Sequence, residues 1–279
     1  MSIIKLLDDF TSEKLTTKST SRREMFSTLS SFGKKAAAVA VPFGLASNKM
    51  SAATMFFGHE GPLGLALILE YLEAEFYMKA LDSGVLEGGS RAEIAFMQIS
   101  KHEDAHVALL KSILDDAGED TTSPTFDFTA GGAFDPFNEN GIGQETAYAQ
   151  LLALAQAFED TGVRAYKGQA PNLMSTPYLE PALQIHSVEA RHASEIRRIR
   201  GLDGWITGSM RGDGMPEATQ PVYDGEENVT QGGVDLTTLT YADDIVGDLN
   251  AAVTQAFDEP ISGETATAIA SLFIDDSGM

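Results

Sequence analysis

A set of acidic residues, histidines and tyrosines occurs twice in this chain in the same order, and that duplication constrains the fold more than any other feature. Glu70 is followed seven residues on by Tyr77, and Glu159 seven on by Tyr166. Glu103-x-x-His106 recurs as Glu189-x-x-His192. The offsets are 89 residues for the first pair and 86 for the second, so two units of similar length follow one another. Each of the four segments carries apolar residues at helical spacing. In 63–81 the stripe is Leu63, Leu67, Glu70, Ala74, Tyr77 and Leu81. Gly84, Gly88 and Gly89 break that helix, and Ser90 with Glu93 forms a capping-box pattern opening a second one that ends near Gly118. Its stripe is Phe96, Ile99, Glu103, His106, Leu110 and Ile113. A third helix is expected from about Glu145 to Lys167 and a fourth from about Tyr178 to Arg200. Short loops within each pair and an irregular connection from Gly118 to Gly143 predict an all-α four-helix bundle with one long crossover.

The duplicated residues are chemically odd for such a core. Residues three apart share a helix face, so each Glu-x-x-His presents a carboxylate beside an imidazole. The stripes would bury Glu70, Glu103, Glu159 and Glu189 together, and no Lys or Arg lies on them. An unpaired buried carboxylate costs several kcal/mol even after relaxation. Two divalent cations would balance four carboxylates and two neutral imidazoles. Carboxylate oxygen with imidazole nitrogen favours iron or manganese, with zinc also compatible. Glu73 is the alternative to Glu70 on the first helix; the seven-residue step to a Tyr, shared with Glu159, favours Glu70. His102 and His186 flank the ligand pairs without matched positions, which suits supporting or surface roles.

The set Glu70, Glu103-x-x-His106, Glu159 and Glu189-x-x-His192 resembles that of the ferritin-like di-iron and di-manganese carboxylate proteins. The resemblance covers roughly 60–200 and implies six metal ligands: Glu70, Glu103, His106, Glu159, Glu189 and His192. It further implies that Glu103 and Glu189 bridge the two ions, and that Tyr77 and Tyr166 hydrogen-bond near the site, where they could relay a proton or electron. A narrower likeness is to secreted ferritin-like proteins of the desiccation-related and stress-induced type, on Leu69-Glu70-Tyr71-Leu72-Glu73-Ala74-Glu75-Phe76-Tyr77 and on Ala256-Phe257-Asp258-Glu259-Pro260. Oxygen or peroxide is the small-molecule substrate implied. Oxidase-like chemistry, manganese-catalase-like dismutation, iron storage and a structural metal pair in an envelope or stress protein all stand open. Against storage, the crossover and the long tail would obstruct packing into a cage.

Charge separates the ends of the chain from the middle. The net charge is −22, from 41 acids against 19 bases, which excludes nucleic acid as a main partner. There is no cysteine, so disulfides, iron–sulfur clusters and thiolate zinc sites are excluded. Up to Ala53, by contrast, eight bases outnumber four acids. There Arg22-Arg23 precede an apolar run of 11 residues, Ala36 to Ala46, with Ser51 and Ala53 at −3 and −1 of a cleavage point. Residues 1–53 are therefore expected to be a twin-arginine export signal, placing the protein in the periplasm or outside the cell. The run is too short to span a bilayer, so no membrane span is expected. The bundle is assigned to 54–200. Residues 201–279, with 15 acids in all and no base after Arg211, are expected to form an acidic extension with short helices near 241–257 and 262–274, packed on the bundle or serving as a partner-binding arm. A homodimer is compatible with the chain.

Overall fold

The structure is a computed structural model that describes residues 61–212, 214–240 and 247–275. The export signal expected over 1–53 lies outside the described residues, as does the start of the first tail helix. Four long helices carry the fold: α1 (Gly61–Asp82), α2 (Arg91–Ala117), α3 (Gln144–Gln169) and α4 (Leu179–Ile199). Helix α1 packs along α2 and α3 along α4, while α1–α3 and α2–α4 contacts close the bundle. No helix of the described residues is long and apolar enough to cross a membrane.

The helix ends follow the local chemistry. The Ser90 hydroxyl accepts the Glu93 N–H at 3.1 Å, starting α2, and Gly118 ends it at φ 78°, a left-handed geometry that favours glycine. The other arm of the expected capping box is displaced. The Glu93 carboxylate accepts from the Gly89 N–H, because the Ser90 N–H already donates to the Glu87 carbonyl. The crossover from 118 to 143 contributes no helix. It folds a row of phenylalanines inward, so that Phe126, Phe128, Phe134 and Phe137 join Phe76, Phe96 and Phe158 in one aromatic cluster.

The tail packs against the bundle. Short helices α5 (Leu249–Thr254) and α6 (Gly263–Ser271) occupy the expected regions, and α6 packs on both α1 and α3. A 3-10 turn at Glu217–Val222 and a two-residue hairpin, β1 (Thr230–Gln231) with β2 (Val234–Asp235), were not expected. Gly232 and Gly233 close that hairpin at φ 58° and 82°, values that a tight turn demands of glycine.

The tail changes the character of α3, whose residues from Leu151 to Tyr166 are all buried. Its outward face carries Gln156, Asp160 and Arg164 at four-residue steps, a row that in isolation would read as solvated. Arg164, 1% exposed, donates to the carbonyls of Glu259 and Asp224 at 2.8 Å each and to that of Val222, and pairs with Glu226 at 2.7 Å. Asp160 pairs with Arg197 and accepts from the Tyr223 hydroxyl at 2.8 Å. Each buried charge on this face has a partner of opposite sign, which is the condition for tolerating it.

Candidate metal centre

The six residues singled out by the duplication meet in one layer between the helices. On α1, Glu70 lies between Leu67 and Tyr77; on α2, Glu103 and His106 lie between Ile99 and Leu110. On α3, Glu159 lies between Ala155 and Tyr166; on α4, Glu189 and His192 lie between Ile185 and Ile196. The aromatic cluster therefore covers one end of the layer and a cluster including Leu67, Leu110, Leu114 and Ile185 covers the other. All four glutamates are fully buried.

Within the layer, ligand atoms of Glu70, Glu103, His106 and Glu189 lie within 4.8 Å of one another, and so do those of Glu103, Glu159, Glu189 and His192. The two groups share Glu103 and Glu189 and no other residue. His106 Nδ1 lies 3.0 Å from Glu70, 2.9 Å from Glu103 and 3.2 Å from Glu189. His192 Nδ1 lies 2.9 Å from Glu103 and 3.2 Å from Glu159.

Several of these atoms are close without being hydrogen-bonded. Glu103 Oε1, Glu159 Oε2, both oxygens of Glu189 and His192 Nδ1 are buried and have no hydrogen-bond partner. Buried polar atoms are ordinarily satisfied, so five orphans in one layer need an explanation. Lone pairs converging on a shared cation supply one. The donor set therefore fits a pair of metal ions: hard oxygen with imidazole nitrogen, in two groups with a common edge.

The electrostatics agree. Burial, then repulsion from Glu189, pushes the Glu70 carboxyl well above its usual range; burial, then repulsion from Glu103, does the same to Glu189. Burial also raises Glu159. Burial works against Glu103 too, yet the hydrogen bond with His106 and the imidazole of His192 close beside it outweigh it and hold that carboxyl at about 2. For the imidazoles, burial favours the neutral form, but the surrounding carboxylates prevail and lift His106 to about 12 and His192 to about 11. The metal-free layer thus keeps protons where cations would otherwise sit, and metal must displace them.

The tyrosines take a position that their spacing did not reveal. Tyr77 donates to Glu159 and Tyr166 donates to Glu70, each reaching the lone glutamate of the other half. Burial, then the charge of the accepting carboxylate, raises both hydroxyls well above 10, so they stay protonated and act as donors.

His102 supports His192. With His192 Nδ1 turned toward the carboxylates, its Nε2 meets His102 Nδ1 at 2.8 Å, and the rings stack 5.1 Å apart. His102 Nε2 lies 2.7 Å from the amide of exposed Gln98. A partner on the far nitrogen fixes the orientation of a ligating imidazole. His186 belongs to neither group and sits half-buried, where Lys167 and Asp258 act on its charge. Glu73 also belongs to neither group of four, though it is 2% exposed.

The family model described as a ferritin-like domain matches residues 61–202, which span all four bundle helices and the six residues above. The chain belongs to the ferritin-like domain family. Neither the comparison with curated proteins nor that with solved structures gave a match. In this ferritin-like domain the residues outside the matched span are not incidental, since Tyr223, Glu226 and Glu259 anchor the outward face of α3. Gln156, Asp160, Arg164 and Tyr223 escaped sequence reasoning. The one available signal was a polar row at four-residue steps on an otherwise Ala- and Leu-rich helix.

Proposed function

We propose that this ferritin-like domain holds two iron or manganese ions between its helices and carries out redox chemistry on oxygen or peroxide. The observation that carries the reading is the pair of four-residue groups sharing Glu103 and Glu189. Glu70 and His106 would hold one ion, Glu159 and His192 the other, and the two shared carboxylates both. An iron or manganese pair supplies electrons by cycling between divalent and trivalent states, which suits the reduction of oxygen or the dismutation of peroxide.

The remaining work falls to the chain. The tyrosine hydroxyls hold Glu159 and Glu70 by hydrogen bonds and keep their protons within reach of the site. Apolar packing at both ends of the layer excludes bulk water, which strengthens every charge interaction inside it. His102, held between His192 and the amide of exposed Gln98, keeps the His192 imidazole turned toward the layer. Zinc would fill the same ligands but supplies no redox step.

The Arg22-Arg23 pair and the short apolar run support export, so the domain would work outside the cytoplasm. The test of function is to load the metal-free protein separately with Fe2+ and Mn2+, then follow oxygen uptake and peroxide loss. Turnover with either metal, abolished in Glu189→Gln, supports the reading. Two tightly held ions that react with neither oxidant overturn it in favour of a structural pair.

A further inference from the structure

The two halves of the centre are not equivalent, and the difference lies at one pair of positions. The duplication that relates Glu70 to Glu159 relates Glu73 to Gly162. Glu73 is 2% exposed, and its Oε2 is buried without a hydrogen-bond partner. A side chain at Gly162 would close the space that Glu73 uses: a Cβ built there lies 3.3 Å from Glu73 Oε1 and 3.3 Å from Glu189 Oε2. The Glu73 carboxylate thus ends beside Glu189, one of the two residues shared by both metal groups. Burial, then repulsion from Glu189, Glu159, Glu70 and Glu103, pushes the Glu73 carboxyl well above the usual range, as at Glu70 and Glu189, whose protons metal must displace. Among the described buried residues, the cations Arg164 and Arg197 are engaged elsewhere, with Glu226 and Asp160.

A fifth buried carboxylate alters the charge balance. Four glutamates and two neutral imidazoles are matched by two divalent ions; with Glu73 the set carries one further negative charge, which a trivalent ion in place of a divalent one neutralises. We propose that Glu73, given room by Gly162, makes the centre a binding site for a trivalent metal ion. This rests on the metal-centre reading above. Glu73 acts as a charge set behind Glu189, on one side of the centre only.

The probe is Ga3+, a redox-inert trivalent ion, supplied as its citrate complex, with Zn2+ as the divalent control. Metal held by the unaltered chain and by Glu73→Gln is counted by mass spectrometry after desalting, and Ga3+ affinity follows from competition with citrate. Gln preserves the shape of Glu73. At an effective dielectric of about 20 and a separation of about 6 Å, one extra metal charge facing one carboxylate is favoured by roughly a hundredfold. Glu73→Gln should therefore keep two Zn2+ and lose about a hundredfold in Ga3+ affinity. Equal Ga3+ affinity in Glu73→Gln and the unaltered protein overturns the proposal, as does loss of Zn2+ and Ga3+ in parallel. If the unaltered protein holds no Zn2+, the metal-centre reading itself has failed and takes this one with it.

Discussion

Replacing Glu103 and Glu159 in turn by Gln should empty the centre to different degrees, because one residue belongs to both ligand groups and the other to one. A carboxylate and a divalent ion about 4 Å apart attract by about 8 kcal/mol at an effective dielectric of about 20. The Gln carbonyl and water recover part of that. A net loss of even about 3 kcal/mol weakens binding more than a hundredfold for each ion touched. Glu103→Gln should thus release both ions and Glu159→Gln one, with Glu189→Gln matching the first and Glu70→Gln the second. Stability should not drive the difference. Glu103→Gln weakens charged contacts with His106 and His192, both 2.9 Å long, while relieving repulsion among buried carboxylates. The assay is metal per chain after equilibration with micromolar free Mn2+, alongside thermal unfolding of the metal-free proteins. Two ions retained by Glu103→Gln, or a greater loss from Glu159→Gln than from Glu103→Gln, would refute the shared-ligand geometry.

Other consequences can be measured on the same protein. Without metal, stability should fall as pH rises from 6.5. His106 and His192 hold protons up to about 12 and 11, whereas the unfolded chain releases them near 6.5, so each costs about 1.4 kcal/mol per pH unit in that window. The raised carboxyls of Glu70 and Glu189 act in the same direction, and Glu103, held at about 2, loses its contribution only as pH falls from about 4.5 toward 2. A melting temperature of the chelator-treated protein that is level or higher at pH 8.5 than at 6.5 contradicts this. Tyr77→Phe leaves Glu159 without its hydroxyl donor and should cost about 1–3 kcal/mol in denaturant unfolding while both ions stay bound; loss of both ions would mean that the hydroxyl holds the site together. Arg164→Met should cost about 3–5 kcal/mol, since Glu226 is left buried and unpaired, and should expose the tail to protease; a tail cleaved no faster than before would show that other contacts hold it.

The six candidate ligands were legible because chemistry and period coincide: a carboxylate and an imidazole three apart on an apolar helical stripe leave few explanations. The helices themselves were legible to within a few residues from Gly breaks and the Ser90 cap. The tyrosine pairing was not. Seven residues along a helix is about 10.5 Å, too far for Tyr77 to meet Glu70, so each hydroxyl crosses to the other half, a contact that depends on how the halves dock. His102 is a similar case, since its partner His192 comes from another helix. The row Gln156, Asp160 and Arg164 reads as a wet face until the tail covers it, and the tail has no periodicity to announce where it lies. Glu73 could be seen as an alternative ligand; that it faces a glycine across the centre is a fact of packing.

The most direct test of the central claim is the metal content of protein purified from its natural compartment with no metal added. The account predicts close to two iron or manganese ions per chain. A folded chain with essentially no metal, its layer held by protons on His106, His192 and the raised carboxyls alone, would contradict it.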